Sequence, residues 1–162
     1  MKSVVTRGLG LAIVALGFLA AAPMASAQIT NHSGTICKNF NAGEATLIDY
    51  FANGTRSLGA SPTSIICPLT RDARVPANTN GALITVYVTH TGTQTTTCTG
   101  YSHRDPGTPL ANATQSSTGS GSRLIQLDLR GTGKSSPGSD YSVLCTIPGN
   151  SNGVVHSVDV LE

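Results

Sequence analysis

Tryptophan is absent from this chain, and phenylalanine and tyrosine together make up 4% of it, which narrows any aromatic ligand platform to a few tyrosines. Charged residues are also scarce, at 11%. Scarce charge signals disorder only when hydrophobicity is low as well. Val, Ile and Leu recur here in short runs, so a folded core is expected. Helix signals are nearly missing; Ala42 to Phe51 is the one stretch with length for two helical turns. The catalytic and metal signatures are missing too. There is no Cys-x-x-Cys or Cys-x-x-His for zinc or redox chemistry, and no His-Glu-x-x-His. Gly-x-Ser-x-Gly and the Asp-rich calcium loop do not occur either.

What is present begins with an address. Lys2 and Arg7 precede an uncharged apolar stretch, Gly8 to Ala22, and Ala25-Ser26-Ala27 has the small-x-small form that signal peptidase accepts. The stretch falls short of the roughly 20 residues that span a bilayer. Residues 1–27 therefore read as a signal peptide and 28–162 as one secreted domain, exported to the periplasm or beyond, with no membrane attachment after cleavage. Lys+Arg number 10 against 8 Asp+Glu, and Lys2 and Arg7 account for the whole excess. The exported part is neutral, which argues against nucleic acid as a partner; Arg71 and Arg74 are close in sequence, but no basic stripe accompanies them.

The period-2 pattern predicts strands. In Leu83 to His90, Ile84, Val86 and Val88 alternate with Thr85, Tyr87 and Thr89. Thr95 to Tyr101 places Thr95, Thr97 and Thr99 on one face and Cys98 on the other. Leu124 to Leu129 and Tyr141 to Ile147 alternate in the same way, and Val154 to Leu161 closes the chain. Asn53-Gly54 predicts a two-residue hairpin turn between Ala45–Ala52 and Thr55–Leu58, a Gly92-centred turn joins two further strands, and Asp105-Pro106-Gly107 marks another turn. Ser117 to Ser122 and Gly131 to Ser139 read as flexible loops. About eight or nine short strands indicate an all-β, single-domain antiparallel sandwich or jelly-roll-like barrel.

Cys37, Cys67, Cys98 and Cys145 are an even set behind an export signal, so two structural disulfides are expected. Of the three pairings, Cys37–Cys67 closes a local loop. Cys98–Cys145 joins two inward-facing strand positions, with the expectation that it pins strands across the core.

Candidate chemistry is thin. Arg130 to Ser135 imitates a phosphate loop but lacks its first Gly and the helix that should follow. Glu44 with Asp49 or Asp72 would be needed for paired-carboxylate chemistry, and nothing in the spacing favours it. His156 shares an alternating face with Val158 and Val160 and reads as packed; His90 and His103 read as exposed polar residues beside turns, and His32 is isolated. Asp105 and Asp140 read as turn formers. Three Asn-x-Ser/Thr sequons, at Asn31, Asn53 and Asn112, matter only in a eukaryotic secretory route. Alternation turns Tyr87 and Tyr101 outward, and placing both on one hairpin makes them a candidate shallow ligand platform. No catalytic residue, cofactor or metal ligand is assigned.

The sequence resembles small secreted bacterial proteins to which no activity is assigned. The likeness is carried by an Ile-Cys-Pro-Leu-x-Arg element (Ile66 to Arg71), a Thr-Cys-Thr hairpin end (Thr97 to Thr99) and a late Tyr-x-x-x-Cys-x-Ile-Pro (Tyr141 to Pro148). It implies the fold and the destination and no site. The expectation is an exported, non-catalytic binding or structural protein with an extracellular or periplasmic ligand. The alternatives are a small hydrolase with a dispersed site, and a secreted inhibitor or carbohydrate-binding module.

Overall fold

The computed structural model describes residues 28–71 and 80–162. The signal-peptide reading of residues 1–27, and Asp72 and Arg74, lie outside the described residues.

Eleven strands occur among the described residues. In chain order they are β1 (Ile29–Ser33), β2 (Lys38–Asn39), β3 (Ile48–Phe51), β4 (Gly54–Ser57), β5 (Thr63–Leu69), β6 (Leu83–His90), β7 (Thr95–Arg104), β8 (Thr108–Thr118), β9 (Gly121–Asp128), β10 (Asp140–Ile147) and β11 (Gly153–Leu161). They form two antiparallel sheets. The first runs β3-β4-β11-β6-β9, with β1 also paired to β11; the second runs β2-β5-β10-β7-β8. Only β3–β4 and β7–β8 are hairpins within one sheet, and every other connection crosses from sheet to sheet.

The period-2 alternation does its expected work. Ile84, Val86 and Val88 of β6, Ile125 and Leu127 of β9, and Val155, Val158 and Val160 of β11 are buried on the inner face of the first sheet. They meet Ile65, Cys67 and Leu69 of β5, and Tyr141, Val143, Cys145 and Ile147 of β10, from the second. Each aliphatic side chain buried this way contributes about 1.5–3 kcal/mol relative to exposure. β7 turns small residues inward: Thr96, Cys98, Gly100 and Ser102 are buried. A Cβ on Gly100 would stand 3.2 Å from Leu127, so this glycine makes room for a leucine of the opposite sheet.

Several sequence expectations are corrected. Ala42–Leu47 is a 3-10 helix, and the β3–β4 register pairs Phe51 with Gly54, so the hairpin turn is Ala52-Asn53 rather than Asn53-Gly54. The link 91–94 is no hairpin. Both sides of β6 are already taken, by β11 and β9, so β7 must enter the other sheet. Ser117–Ser122 is no loose loop: β8 runs to Thr118 and β9 starts at Gly121, with Gly119 (φ 101) and Gly121 (φ 86) supplying the left-handed backbone for so short a crossing. The strand count is eleven, above the eight or nine expected, because β1 and β2 are too short to stand out in a period-2 pattern.

The disulfides are Cys37–Cys67 and Cys98–Cys145, the expected pairing. The expected geometry of the second was wrong. Cys98 and Cys145 are register partners on adjacent strands β7 and β10, so the bridge ties neighbours within one sheet rather than spanning the core.

Candidate functional site

Tyr87 projects from the outer face of β6, in the middle of the first sheet, with 37% of its surface exposed. Register places Ser157 of β11 on one side of it and Leu124 of β9 on the other. Leu124 is 56% exposed, an apolar side chain on the outward phase of β9. Around this pair lies an open cleft of about 450 Å³ whose walls include Ser122, Arg123, His156 and Ser157.

A β-bulge builds one wall. The pairing of β11 with β6 shifts between Val155 and Ser157, so the alternation slips by one residue and His156 leaves the Val158/Val160 face. The expectation that His156 shares the core phase of those valines is therefore corrected. Its ring is half-buried outside the core. Nδ1 lies 2.8 Å from the Asn53 carbonyl and Nε2 lies 2.9 Å from Thr89 Oγ1. A carbonyl can only accept, so Nδ1 carries a proton, and in the neutral ring Nε2 then accepts from the threonine hydroxyl. The two contacts hold the ring in one orientation at the wall of the cleft.

Acidity enters from Asp159. Its negative charge, together with a hydrogen bond, pushes the Tyr87 hydroxyl pKa upward, so the phenol stays protonated. Asn31 of β1 donates its side-chain amide to the same carboxylate. The cleft thus offers an exposed ring and a leucine, bordered by a guanidinium, an imidazole, hydroxyls and a carboxylate.

Tyr101 is elsewhere. It stands on β7 in the second sheet, so it and Tyr87 occupy opposite outer faces of the sandwich. The two tyrosines do not form one platform; that expectation relied on a β6–β7 hairpin that the fold does not contain. Tyr101 stacks instead on His103, with ring centroids 5.7 Å apart and planes inclined at 22°. A separate shallow cleft of about 520 Å³ opens beside it, with Lys38, Ile66, Pro68, His103 and Asp140 among its walls.

The other candidates are absorbed by structure. Glu44 accepts the Ser64 backbone N–H at 2.9 Å, and Asp49 pairs with Arg56 at 2.7 Å. Arg130 grips Asp128 at 2.8 Å, and its hydrogen bonds hold that carboxyl well below the usual carboxylate range. The phosphate-loop mimic is no flexible loop. Ser135 is buried, 2.7 Å from Ser139, and receives the Tyr141 hydroxyl at 3.3 Å. His90 is not an exposed turn residue but is 3% exposed, held between Thr96 Oγ1 at 2.7 Å and the Gly119 carbonyl at 3.2 Å. Burial pushes its pKa down.

Sequence reasoning missed a buried ionic cluster at one end of the sandwich. Arg71 meets Glu162 at 2.6 Å, with side chains 12% and 2% exposed, and donates to the Ser136 carbonyl and Ser139. The guanidinium also lies 5.9 Å from the Tyr141 ring centre. Arg71 lies two positions after β5 and Glu162 one after β11, and no local spacing announces a contact between residues so distant in the chain.

Among the described residues no three His, Cys, Asp or Glu side chains gather to hold a metal, and no helix is long and apolar enough to cross a membrane.

No protein-family model matches the chain, and no curated protein sequence is similar to it. Among solved structures the chain is similar to the CBM36-1 domain of a multidomain xylanase from the hindgut metagenome of Trinervitermes trinervoides. The identity is 8% over 82% of this chain and 96% of that one, with a TM-score of 0.45. It is also similar to a carbohydrate-binding module, CBM36, in complex with calcium and xylotriose (11% identity, 81% and 98% coverage, TM-score 0.39). A third is a CBM35 from Paenibacillus barcinonensis (13% identity, 81% and 97% coverage, TM-score 0.38). The sandwich assignment itself rests on the strand pairing described above.

Proposed function

We propose that the chain is an exported binding module without chemistry of its own, and that its ligand is a hydroxyl-rich molecule of the carbohydrate class received on the Tyr87 cleft. The observation that carries this reading is the exposed Tyr87–Leu124 cross-strand pair set among Ser122, Arg123, His156 and Asp159. A pyranose presents an apolar C–H face and a rim of hydroxyls. An aromatic ring with a polar border matches both parts, the ring covering the C–H face and the border exchanging hydrogen bonds. The site lies on strands of a packed sheet, so little ordering cost falls on binding. Recognition suits this lining better than bond cleavage: the Asp159 carboxylate is already engaged by Asn31 and Tyr87, and the His156 ring by Thr89 and Asn53. The leader at residues 1–27 and the two disulfides support an oxidising, extracytoplasmic destination, periplasmic or secreted. The likeness to small secreted bacterial proteins agrees with that address.

The test is a glycan array followed by calorimetric titration of the best oligosaccharide. Tyr87→Ala is expected to weaken binding by ~10-fold or more, and Leu124→Ala by less. Tyr101→Ala, on the opposite face, is expected to leave affinity unchanged. Loss on Tyr101→Ala with Tyr87→Ala silent would move the site to the Tyr101–His103 stack. Binding to no saccharide would end the carbohydrate reading.

A further inference from the structure

β8 closes one end of the second sheet, pairing with β7 on one side and, among the described residues, with no strand on the other. It is 11 residues long and contains no Asp, Glu, Lys or Arg. Natural sheet edges are normally blunted by charge, proline, bulges or brevity, because an open ladder invites another strand. The other edges obey that rule. β2 has two residues and carries Lys38; β3 has four and carries Asp49; β9 carries Arg123 and Asp128; β1, beside β11, is uncharged but only five residues long. On β8 Pro109 and a one-residue bulge at Leu110 guard only the start, which leaves residues 111–118 unguarded.

The outer face beside this edge is regular. Thr95–Thr118, Thr97–Ser116 and Thr99–Thr114 pair hydroxyl to hydroxyl across β7 and β8, each at 2.8 Å. Next to β8 a groove of about 410 Å³, lined by Gln115, Ser116, Leu124, Ile125 and Gln126, separates the two sheet edges.

We infer that β8 is a self-association edge: two copies of this chain add β8 to β8, antiparallel across a two-fold axis, and join their second sheets into one. A two-fold at Thr114 pairs residues 111–117 of the unguarded run with the same residues of the partner subunit. Thr114 then faces Thr114 of the partner subunit, Ser116 faces Asn112 of the partner subunit, and Gln115 faces Ala113 of the partner subunit. Every pair is uncharged, so no repulsion opposes the approach, and the hydroxyl rows continue across the axis. An isologous contact of this kind closes at two copies. A second copy fits better than a foreign charged peptide, because the edge and its groove offer no charge to recognise one.

Sedimentation equilibrium of the chain with its disulfides oxidised tests this. A concentration-dependent dimer is expected for the wild type. Thr114→Lys puts like charges against each other on the axis and is expected to weaken the dimer by ~10-fold or more, and Thr114→Glu likewise. An equimolar mixture of the two variants is expected to restore it as a heterodimer, which a merely misfolded variant would not do. Circular dichroism melts of each variant report folding separately. Thr85→Lys, on the outer face of the other sheet, is expected to leave the dimer intact. A wild type monomeric up to ~1 mM overturns the inference, since association weaker than that is no specific interface. A dimer indifferent to both charges at residue 114 overturns it as well. Neither result bears on saccharide binding at Tyr87.

Discussion

Both disulfides fasten the second sheet: Cys98–Cys145 ties register partners on β7 and β10, and Cys37–Cys67 ties the residue just before β2 to β5. The first sheet contains no cysteine and is held by ladder pairing and packing alone. The outer faces differ in the opposite sense. The unstapled sheet carries Tyr87, Arg56, Asp49, His156 and Asp159, whereas along β7 and β8 the stapled sheet shows hydroxyls in register. Cohesion explains the division. β11 pairs with β1, β4 and β6, so the first sheet has a central strand that holds three others without a covalent tie. The second sheet ends in β2, a strand of two residues, and so short a pairing holds its place poorly without the Cys37–Cys67 link beside it.

The largest effect should follow from removing the staples. The bridged residues are 30 and 47 positions apart. Loop-closure entropy then assigns about 3.5 kcal/mol to Cys37–Cys67 and about 4 kcal/mol to Cys98–Cys145. Cys98→Ala/Cys145→Ala, measured by urea denaturation, should lower stability by roughly that amount. Hydrogen exchange locates the damage: β7 and β10 should lose protection before β6 and β11. Equal loss in both sheets would show that the staples serve the whole sandwich, and the contrast between the sheets would fall.

A smaller effect concerns the joint between them. His90 belongs to β6, Thr96 to β7, and the Gly119 carbonyl to the turn from β8 to β9, so one imidazole links both sheets. Nδ1 donates to the carbonyl, and Nε2 accepts from the threonine hydroxyl, which requires a neutral ring. Burial lowers the folded-state pKa, and the positive charge of Arg123 adds to the effect. The unfolded chain therefore binds a proton at higher pH than the folded one. This stability is fully present above the unfolded value of 6.5 and is lost as pH falls through the lower folded-state pKa. Denaturation midpoints should drop with acidification below that point, and His90→Asn should flatten the dependence. A His90→Asn curve parallel to the wild type would remove His90 from this role.

These residues also show how far the sequence reaches. The inward phases of β6, β9, β10 and β11 are plain from alternation, because burying one face leaves a period of two. Both disulfide partners were also accessible. Leu124 falls on the same outward phase of β9 as Gln126 and Asp128, so alternation carries a signal of its exposure that the strand reading did not use. Other features depend on which strand lies beside which. Tyr87 and Tyr101 are close in the chain, yet the occupied sides of β6 send β7 across the core. The bulge at His156 shifts the phase by a single residue, a change that composition does not record. The Arg71–Glu162 pair joins residues 91 apart, and only the folded chain brings them together.

The smallest effects separate the two outer faces by the kind of force each uses. On the first sheet Arg56 pairs with Asp49 at 2.7 Å while its guanidinium lies 5.0 Å from the Phe51 ring centre. Both charged side chains are about one-third exposed, so water and salt screen the pair, and Asp49→Asn should cost at most about 1 kcal/mol. On the second sheet the Thr97–Ser116 pair joins neutral hydroxyls at 2.8 Å, and Thr97→Val combined with Ser116→Ala should cost a similarly small amount, about 0.2–1 kcal/mol. Magnitude alone therefore does not distinguish them, but salt does. Raising the ionic strength to ~1 M shrinks the Debye length to ~3 Å and should erase the cost of Asp49→Asn. The cost of the hydroxyl variant, having no net charge to screen, should persist. If both costs fall together, the hydroxyl rows depend on the charges around them, and the two faces are less independent than their chemistry suggests.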